Sequence, residues 1–276
     1  MRTLKAELMR PKEIVAEKKR CPVIYFPLSP LEWHGPHLPV GTDALRSREV
    51  AFRVARKIGG VVLPTFFWGT DRALSPEFLR NVGFKGSEYI IGVDYPKNTI
   101  RSFYCKEEIF ALLVREMLNV LIINNYKVIV IVNGHGAPNQ IAVLKRISDE
   151  FNVRKSAKVI LTFAGIAEGT GLLCGEVESC PGIGHAAREE TSEIMALYPE
   201  SVDLHELPGT DEALRNIDWA VLDNQTCRGH PTADFTVRKE KDPRARSSAK
   251  LGEKRIEAAA AQIADKVKRI LAELRE

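Results

Sequence analysis

Short runs of apolar, mostly β-branched residues alternate along this chain with longer segments whose apolar residues recur every three or four positions. The short runs predict strands at 23–27, 61–64, 127–132 and 158–163. The longer segments predict helices at 44–58, 106–124, 140–151 and 251–274, each with one apolar face. Strands that alternate with helices in this way are typical of a parallel sheet joined by right-handed crossovers.

The run at 127–132 is apolar at every position after Lys127, the pattern of a strand covered by helices on both faces. We therefore expect it to be central in the sheet. Two segments, 66–98 and 199–242, lack clear periodicity and predict long excursions, which often form pocket walls, lids or subunit contacts. The predicted fold class is α/β, with a mostly parallel β-sheet covered by helices on both faces, in a single compact domain over residues 1–276.

Composition and charge narrow the classes of function. The 40 Lys and Arg residues exceed the 36 Asp and Glu residues by only four, and the most basic stretch, 238–255, is interleaved with acids. We therefore expect no nucleic-acid partner. No run of 18 apolar residues and no apolar signal core occur, so we expect no membrane association and a cytoplasmic location. Five cysteines without a C-x-x-C pair argue against a zinc ribbon and favour free thiols.

The candidate chemistry is concentrated directly after the first predicted strand. Glu32, His34, His37 and Asp43 lie within twelve residues. Carboxylate oxygens together with imidazole nitrogens are the ligand mixture of catalytic zinc, manganese or iron sites. A histidine in a loop is more often a hydrogen-bonded structural residue than a ligand, and we assign that supporting role to His37.

Two further polar clusters follow later elements. Residues 133–136, Asn-Gly-His-Gly, come directly after the central strand, and His185 precedes a predicted helix that contains Glu190. In open α/β sheets the ligand site forms beyond the carboxyl ends of the strands, so we expect the clusters to converge. Each also has a simpler interpretation: 133–136 as a tight turn or an anion-binding turn, and Glu190 as a favourable charge at a helix start.

The residue sequences of the three clusters resemble the motifs of the creatininase (creatinine amidohydrolase) family. That family has Glu-x-His-Gly-x-His-Leu-Pro-x-x-x-Asp after the first strand, Asn-Gly-His-Gly after a later one, and His-Ala-Gly-x-x-Glu-Thr-Ser at a helix start. Here they read Glu32-Trp33-His34-Gly35-Pro36-His37-Leu38-Pro39-Val40-Gly41-Thr42-Asp43, Asn133-Gly134-His135-Gly136 and His185-Ala186-Ala187-Arg188-Glu189-Glu190-Thr191-Ser192. The resemblance covers most of the chain, from Pro22 to the last helix.

The resemblance implies a metal-dependent amidohydrolase that assembles as a homo-oligomer, commonly a hexamer, and hydrolyses a non-peptide C–N bond in a small cyclic amide or formamide. It implies two divalent metal ions, Zn, Mn or Fe, which share a hydroxide. Carried over by position, Glu32 and His135 hold one ion, His34 holds the other, and Asp43 bridges them.

The resemblance also implies roles for two residues of the third cluster. His185 is the candidate general acid, or orients the substrate. Glu190 is a candidate catalytic carboxylate that ligates a metal or orients a ligand.

Two departures from the family pattern bear on the substrate. Creatininases carry a metal-binding Glu two residues after the second-cluster His, where this chain has Ala137, which predicts fewer protein ligands for the second metal. They also place a Trp four residues before the third-cluster His, where this chain has Pro181, which argues against creatinine as the substrate.

The alternative function, from another class, is a non-catalytic α/β module that binds an anion or nucleotide at residues 133–136.

Overall fold

The computed structural model describes residues 4–166, 184–223 and 235–274, and they are built around a parallel sheet. Its strands are β1 (Val23–Leu28), β2 (Val61–Val62), β3 (Val128–Asn133) and β4 (Lys158–Phe163), in the order β2-β1-β3-β4. β1 and β3 pair in register from Val23 opposite Val128 to Leu28 opposite Asn133. Because β3 lies between β1 and β4, the predicted central strand is confirmed.

Helices connect and cover the strands. They are α1 (Pro11–Arg20), α2 (Thr42–Ile58), α3 (Pro76–Asn81), α4 (Glu107–Ile123), α5 (Pro138–Val153), α6 (Arg188–Leu197), α7 (Asn216–Trp219), α8 (Pro243–Arg246) and α9 (Ala249–Glu273). Single 3-10 turns occupy Ala6–Leu8, Pro199–Ser201 and Leu204–Glu206. The four predicted helices and four predicted strands are all present, although β2 forms only its first two residues.

Both faces of the sheet are buried, as the apolar runs predict. On one face Tyr25 and Val130 pack with Val50 of α2 and Ile263 of α9. The opposite face packs against α4 and α5, where Phe26 meets Phe110 and Leu144. Alternate residues of one strand therefore serve two apolar clusters, and burial of each large side chain contributes roughly 1.5–3 kcal/mol. The expected α/β class is confirmed.

A close backbone contact places α9 against α6. A Cβ atom at Gly252 would run into the backbone carbonyl oxygen of Ser192 and lie 2.7 Å from the Cα of Glu193. Glycine at this position therefore allows α9 to approach α6 more closely than any side chain would permit. The contact brings Arg255, one turn further along α9, next to α6.

The two predicted excursions contain only short regular elements in their described parts. The first includes α3 and an isolated antiparallel bridge between Ala73 and Ile91. Cys21 and Cys105 are buried free thiols, whereas Cys174, Cys180 and Cys227 lie outside the described residues. No helix among the described residues is long and apolar enough to span a bilayer.

Candidate metal centre

The three polar clusters meet at the carboxyl edge of the sheet. β1 and β3 end side by side, so the segment after β1 and the turn after β3 leave the sheet at the same level. Asp43 lies in the first turn of α2, and Glu190 lies in the first turn of α6. All six predicted site residues come together there, in a largely buried cluster: Glu32, His34, Asp43, His135, His185 and Glu190.

The first set of candidate ligands, here called the Glu32 group, consists of Glu32, Asp43 and His135, with one donor atom each within 4.8 Å of the others. The Nδ1 atom of His135 lies 2.9 Å from Oε2 of Glu32 and 3.3 Å from Oδ2 of Asp43. The phenol of Tyr104 donates a 2.5 Å hydrogen bond to Oε1 of Glu32, the other oxygen of that carboxylate. Tyr104 therefore orients Glu32 without occupying the ligand side.

The second set, here called the His34 group, consists of His34, Asp43 and Glu190. The Nε2 atom of His34 lies 3.5 Å from Oδ1 of Asp43 and 3.4 Å from Oε2 of Glu190. The Nδ1 atom lies 3.1 Å from the backbone carbonyl oxygen of Glu32, which can only accept, so Nδ1 carries the proton. Nε2 is therefore the ring nitrogen that faces the two carboxylates.

The residues fit a two-cation site. The Nε2 atom of His34 is buried without a hydrogen-bond partner in the described structure, which is expected of a nitrogen whose partner is a metal ion. Asp43 contributes to both groups, one oxygen to each. Glu190 gives the His34 group a third candidate donor although position 137 is alanine.

The titration behaviour of the cluster reflects crowding of buried charges. Burial disfavours the cation of His34, but the carboxylates of Asp43 and Glu190 outweigh it and raise its pKa to about 9. Burial also opposes ionisation of Glu32, yet the neighbouring His135, His185 and His34 together outweigh it and lower the pKa of Glu32 to about 2. Burial raises the pKa of Glu190 to about 7, against the opposing effect of Arg46. The Glu32 group and the His34 group therefore both attract positive charge, whether it is carried by protons or by metal ions.

His185 lies beside both groups. Its Nε2 atom is 2.7 Å from the carbonyl oxygen of Trp33, so Nε2 carries the proton and Nδ1 keeps its lone pair. Nδ1 lies 3.8 Å from Oε1 of Glu32, and the ring stacks 4.3 Å from that of His34. Burial and the adjacent His34 lower the pKa of His185 to about 4. At neutral pH His185 is therefore a proton acceptor that faces the centre.

The other sequence assignments have mixed outcomes. His37 is 1% exposed and its Nε2 atom lies 3.1 Å from Oγ1 of Thr191, which confirms a supporting role. In the turn at 133–136, the N–H of Gly134 donates to the carbonyl oxygen of Leu28, and that of His135 donates to Asn133. Pro181 lies outside the described residues.

Sequence reasoning missed several residues that support the centre. Arg46 contacts Asp43 and Glu190, Glu193 contacts Arg46, and Tyr104 contacts Glu32. A signal was present for Arg46, because it falls in line with Val50 and Val54, every fourth residue along the buried face of α2. Tyr104 follows the first irregular excursion and has no comparable local pattern.

A cavity of about 550 Å³ lies beside the centre, between the starts of α4 and α5 and the bridge at Ala73. Asp71 lines it, and Oδ2 of that residue is 3.9 Å from Nε2 of His135. The rest of the lining is mixed in charge and includes Arg72, Tyr89, Lys106, Glu107 and Asn139. Asp71 therefore connects this cavity to His135 of the Glu32 group.

Comparisons with known proteins indicate the same family as the three sequence motifs. A family model described as creatininase, creatinine amidohydrolase, matches residues 7–90 and 91–267. The crystal structure of a creatinine amidohydrolase (creatininase) is similar with a TM-score of 0.66 and 19% identity, and the match covers 98% of this chain and 98% of that one. No curated protein matches the sequence.

Two further creatininase structures are similar over nearly the full length. One described as creatininase Mn has a TM-score of 0.63 and 18% identity, and a mutant creatininase complexed with creatine has 0.62 and 18%; both matches cover 97% of this chain and 98% of the other. At these identities the likeness shows the fold, whereas the family follows from the match of the family model.

Proposed function

This chain belongs to the creatinine amidohydrolase (creatininase) family and is an amidohydrolase, and on that premise we propose that it uses two divalent metal ions to hydrolyse a non-peptide C–N bond in a small cyclic amide or formamide. One observation carries the proposal: two buried ligand groups share Asp43, with one oxygen of that carboxylate facing each group. Such an arrangement is suited to holding two cations close together.

The Glu32 group would hold one ion and the His34 group the other. Solved creatininases are described as the Zn-Zn type and as creatininase Mn, which agrees with the mixed oxygen and nitrogen donors here. We assign Glu190 to the His34 group as a ligand, because its Oε2 atom lies 3.4 Å from the unpartnered Nε2 of His34. The bound cations would supply an activated water and a polarised substrate carbonyl.

His185 would move the proton. Since its Nε2 is tied to the carbonyl oxygen of Trp33, only Nδ1 is free to accept a proton from the attacking water. The same atom then returns that proton to the leaving nitrogen, and this second transfer is the general acid role expected from the sequence. The lowered pKa of His185, about 4, keeps Nδ1 unprotonated before each turnover.

The substrate would be a small molecule bound between the centre and the adjoining cavity. A mutant creatininase is known in complex with creatine, which supports a small amide-derived ligand for the family. In this chain the cavity opens next to Asp71 and is lined by both acidic and basic side chains. These features favour a polar substrate with hydrogen-bonding groups, and we propose formamides and cyclic amides as the classes to test.

The competing interpretation was an anion- or nucleotide-binding module at residues 133–136. Two of its backbone donors are already used, because the N–H groups of Gly134 and His135 bond to protein acceptors. A Cβ at Gly134 would also run into the backbone carbonyl oxygen of Asp43. The glycine at position 134 is therefore explained by the close approach of this turn to α2. No observation favours the binding module.

The test is a hydrolysis screen of formamides, lactams and cyclic ureas with protein reconstituted in Zn²⁺ or Mn²⁺, with metal-stripped protein as the blank. We expect metal-dependent turnover in at least one class and close to two equivalents of metal per chain. His185→Asn should retain the metal but lose about 10²–10⁴-fold in kcat. Folded protein that binds less than one equivalent of either metal would contradict the proposed function.

A further inference from the structure

Arg46 is a buried cation at the centre of the site. It is 1% exposed, and its Nη2 atom donates to Oδ1 of Asp43 at 2.7 Å and to the carbonyl oxygen of Gly134 at 2.9 Å. The same atom lies 3.2 Å from Oε1 of Glu190. Arginine stays protonated even when buried, so this charge is permanent.

The contacts of Arg46 are one-sided. It bonds to Oδ1 of Asp43, the oxygen that faces His34, whereas Oδ2 faces His135. It approaches both carboxylates of the His34 group, Asp43 and Glu190. Within the described parts of the chain its hydrogen bonds and ion pairs do not include Glu32 or His135, the other two members of the Glu32 group.

Glu193 does not cancel this charge, because it is shared. Its Oε2 accepts from Arg46 at 2.8 Å, and its Oε1 accepts from Arg255 of α9 at 2.7 Å. Arg255 also donates to the carbonyl oxygen of Ile166 at 3.1 Å, which fixes it in place. Two guanidinium groups around one carboxylate leave a net charge of about +1 beside Asp43 and Glu190.

We propose that Arg46, with Glu193 and Arg255 behind it, is a positioning device that makes the two metal sites unequal: the His34 group binds its ion more weakly than the Glu32 group. The inference rests on the proposed function, since it requires both groups to bind metal. The guanidinium holds the carboxylates of Asp43 and Glu190 in place when the second ion is absent, and it repels that ion when present.

The physical argument is a competition between two cations for the same carboxylates. Oδ1 of Asp43 already bonds to the guanidinium and would donate less charge to a metal ion, and the positive charges of Arg46 and the ion repel more strongly in a buried site than in water. The Glu32 group instead has the neutral donor Tyr104 on its carboxylate. The ion at the His34 group should therefore bind second and leave first.

Two variants that touch no ligand test this by predicting opposite signs. Glu193→Gln removes the counter-charge of Arg46 and should weaken the second binding step about tenfold. Arg255→Met frees Glu193 to neutralise Arg46 and should tighten the second step by up to about tenfold. A purely structural role of the network would weaken binding in both variants, because both remove buried bonds.

The measurement is a titration of metal-stripped full-length protein with Mn²⁺ alone, with free Mn²⁺ followed by electron paramagnetic resonance. We expect two unequal steps for the wild-type protein. His34→Ala should retain the tighter step only, which assigns the steps to the groups. Lys254→Met removes an exposed charge next to Arg255 on α9 and is the matched control, with both steps unchanged.

The outcomes separate this inference from the proposed function. Two equal steps in the wild-type protein, or shifts of the same sign in Glu193→Gln and Arg255→Met, would overturn the role of Arg46 while leaving the two-metal centre intact. Folded wild-type protein that binds no Mn²⁺ and no Zn²⁺ would overturn the centre and the inference together. Circular dichroism of each variant confirms that it is folded before its binding is interpreted.

Discussion

The Glu32 group and the His34 group share Asp43 and the same kinds of donor atoms, yet the rest of the molecule supports them differently. The Glu32 group is steadied by a neutral phenol, that of Tyr104, and by the nearby carboxylate of Asp71. The His34 group is steadied by the buried cation Arg46. In the proposed two-metal centre the two sites would therefore differ through the charge of the surrounding groups and not through the identity of the ligands alone.

The largest expected effect comes from removing what the two groups share. Asp43→Asn keeps the size of the side chain but withdraws the charge that both ions need, so metal content should fall from two equivalents towards none. Loss of about 4 kcal/mol of stabilisation by the cations corresponds to about a thousandfold in kcat/KM. Metal analysis and steady-state kinetics are the measurements, with Asp203→Asn outside the centre as the control. A variant that keeps both ions would disprove the bridging role.

Removing the cation behind the His34 group should have the next largest effect, on stability. Arg46→Met removes the buried guanidinium from Asp43 and Glu190 and leaves Glu193 with Arg255 alone, and breaking such a network costs about 3 kcal/mol. Urea unfolding of metal-free protein measures this. Arg56→Met, at an exposed position on the same helix, should change stability by less than about 0.5 kcal/mol. Equal effects of the two substitutions would show that the buried network is not a stabilising element of the fold.

His34 and His37 lie in one segment, and substitutions of the two should distinguish a metal ligand from a structural residue. His34→Ala should lose one of two metal ions and about a hundredfold in kcat/KM. His37→Ala removes a side chain that is equally buried but bonds to Thr191, so it should lower the melting temperature while both ions remain. Metal content and thermal unfolding of the pair decide this, and loss of metal in His37→Ala with His34→Ala unaffected would reverse the assignment.

The sequence predicted the sheet well because its strands are short apolar runs, and it indicated candidate ligands after β1 because Glu32, His34 and Asp43 are close in the chain. Glu190 was harder to assign, since a carboxylate at a helix start has a capping interpretation, and the structure shows both: it accepts a bond from the N–H of Ala186 and faces His34. Only tertiary packing could show that Glu190 lies beside His34 and Asp43, where we propose that it is a metal ligand.

The residues that support the two ligand groups could not be predicted from the sequence, for a similar reason. Glu193 and Arg255 are 62 residues apart and meet because α9 crosses α6 at Gly252. Nothing in the local pattern of either helix indicates the pairing. Arg46 was the exception, because a charged residue in line with the apolar residues Val50 and Val54 requires a buried partner.

The smallest expected effect concerns the Glu32 group. Tyr104→Phe removes one hydrogen bond to Glu32 without changing the charge of the site, so the first metal step should weaken about tenfold and the second should hardly change. Mn²⁺ titration measures both steps, and Tyr126→Phe, a buried tyrosine in the apolar cluster that the sheet forms with α4 and α5, is the control. The contrast between a neutral and a charged support predicts that this loss is confined to one group. If Tyr104→Phe weakened both steps equally, the two halves would be a single cooperative unit, and the separate support of each half would be disproved.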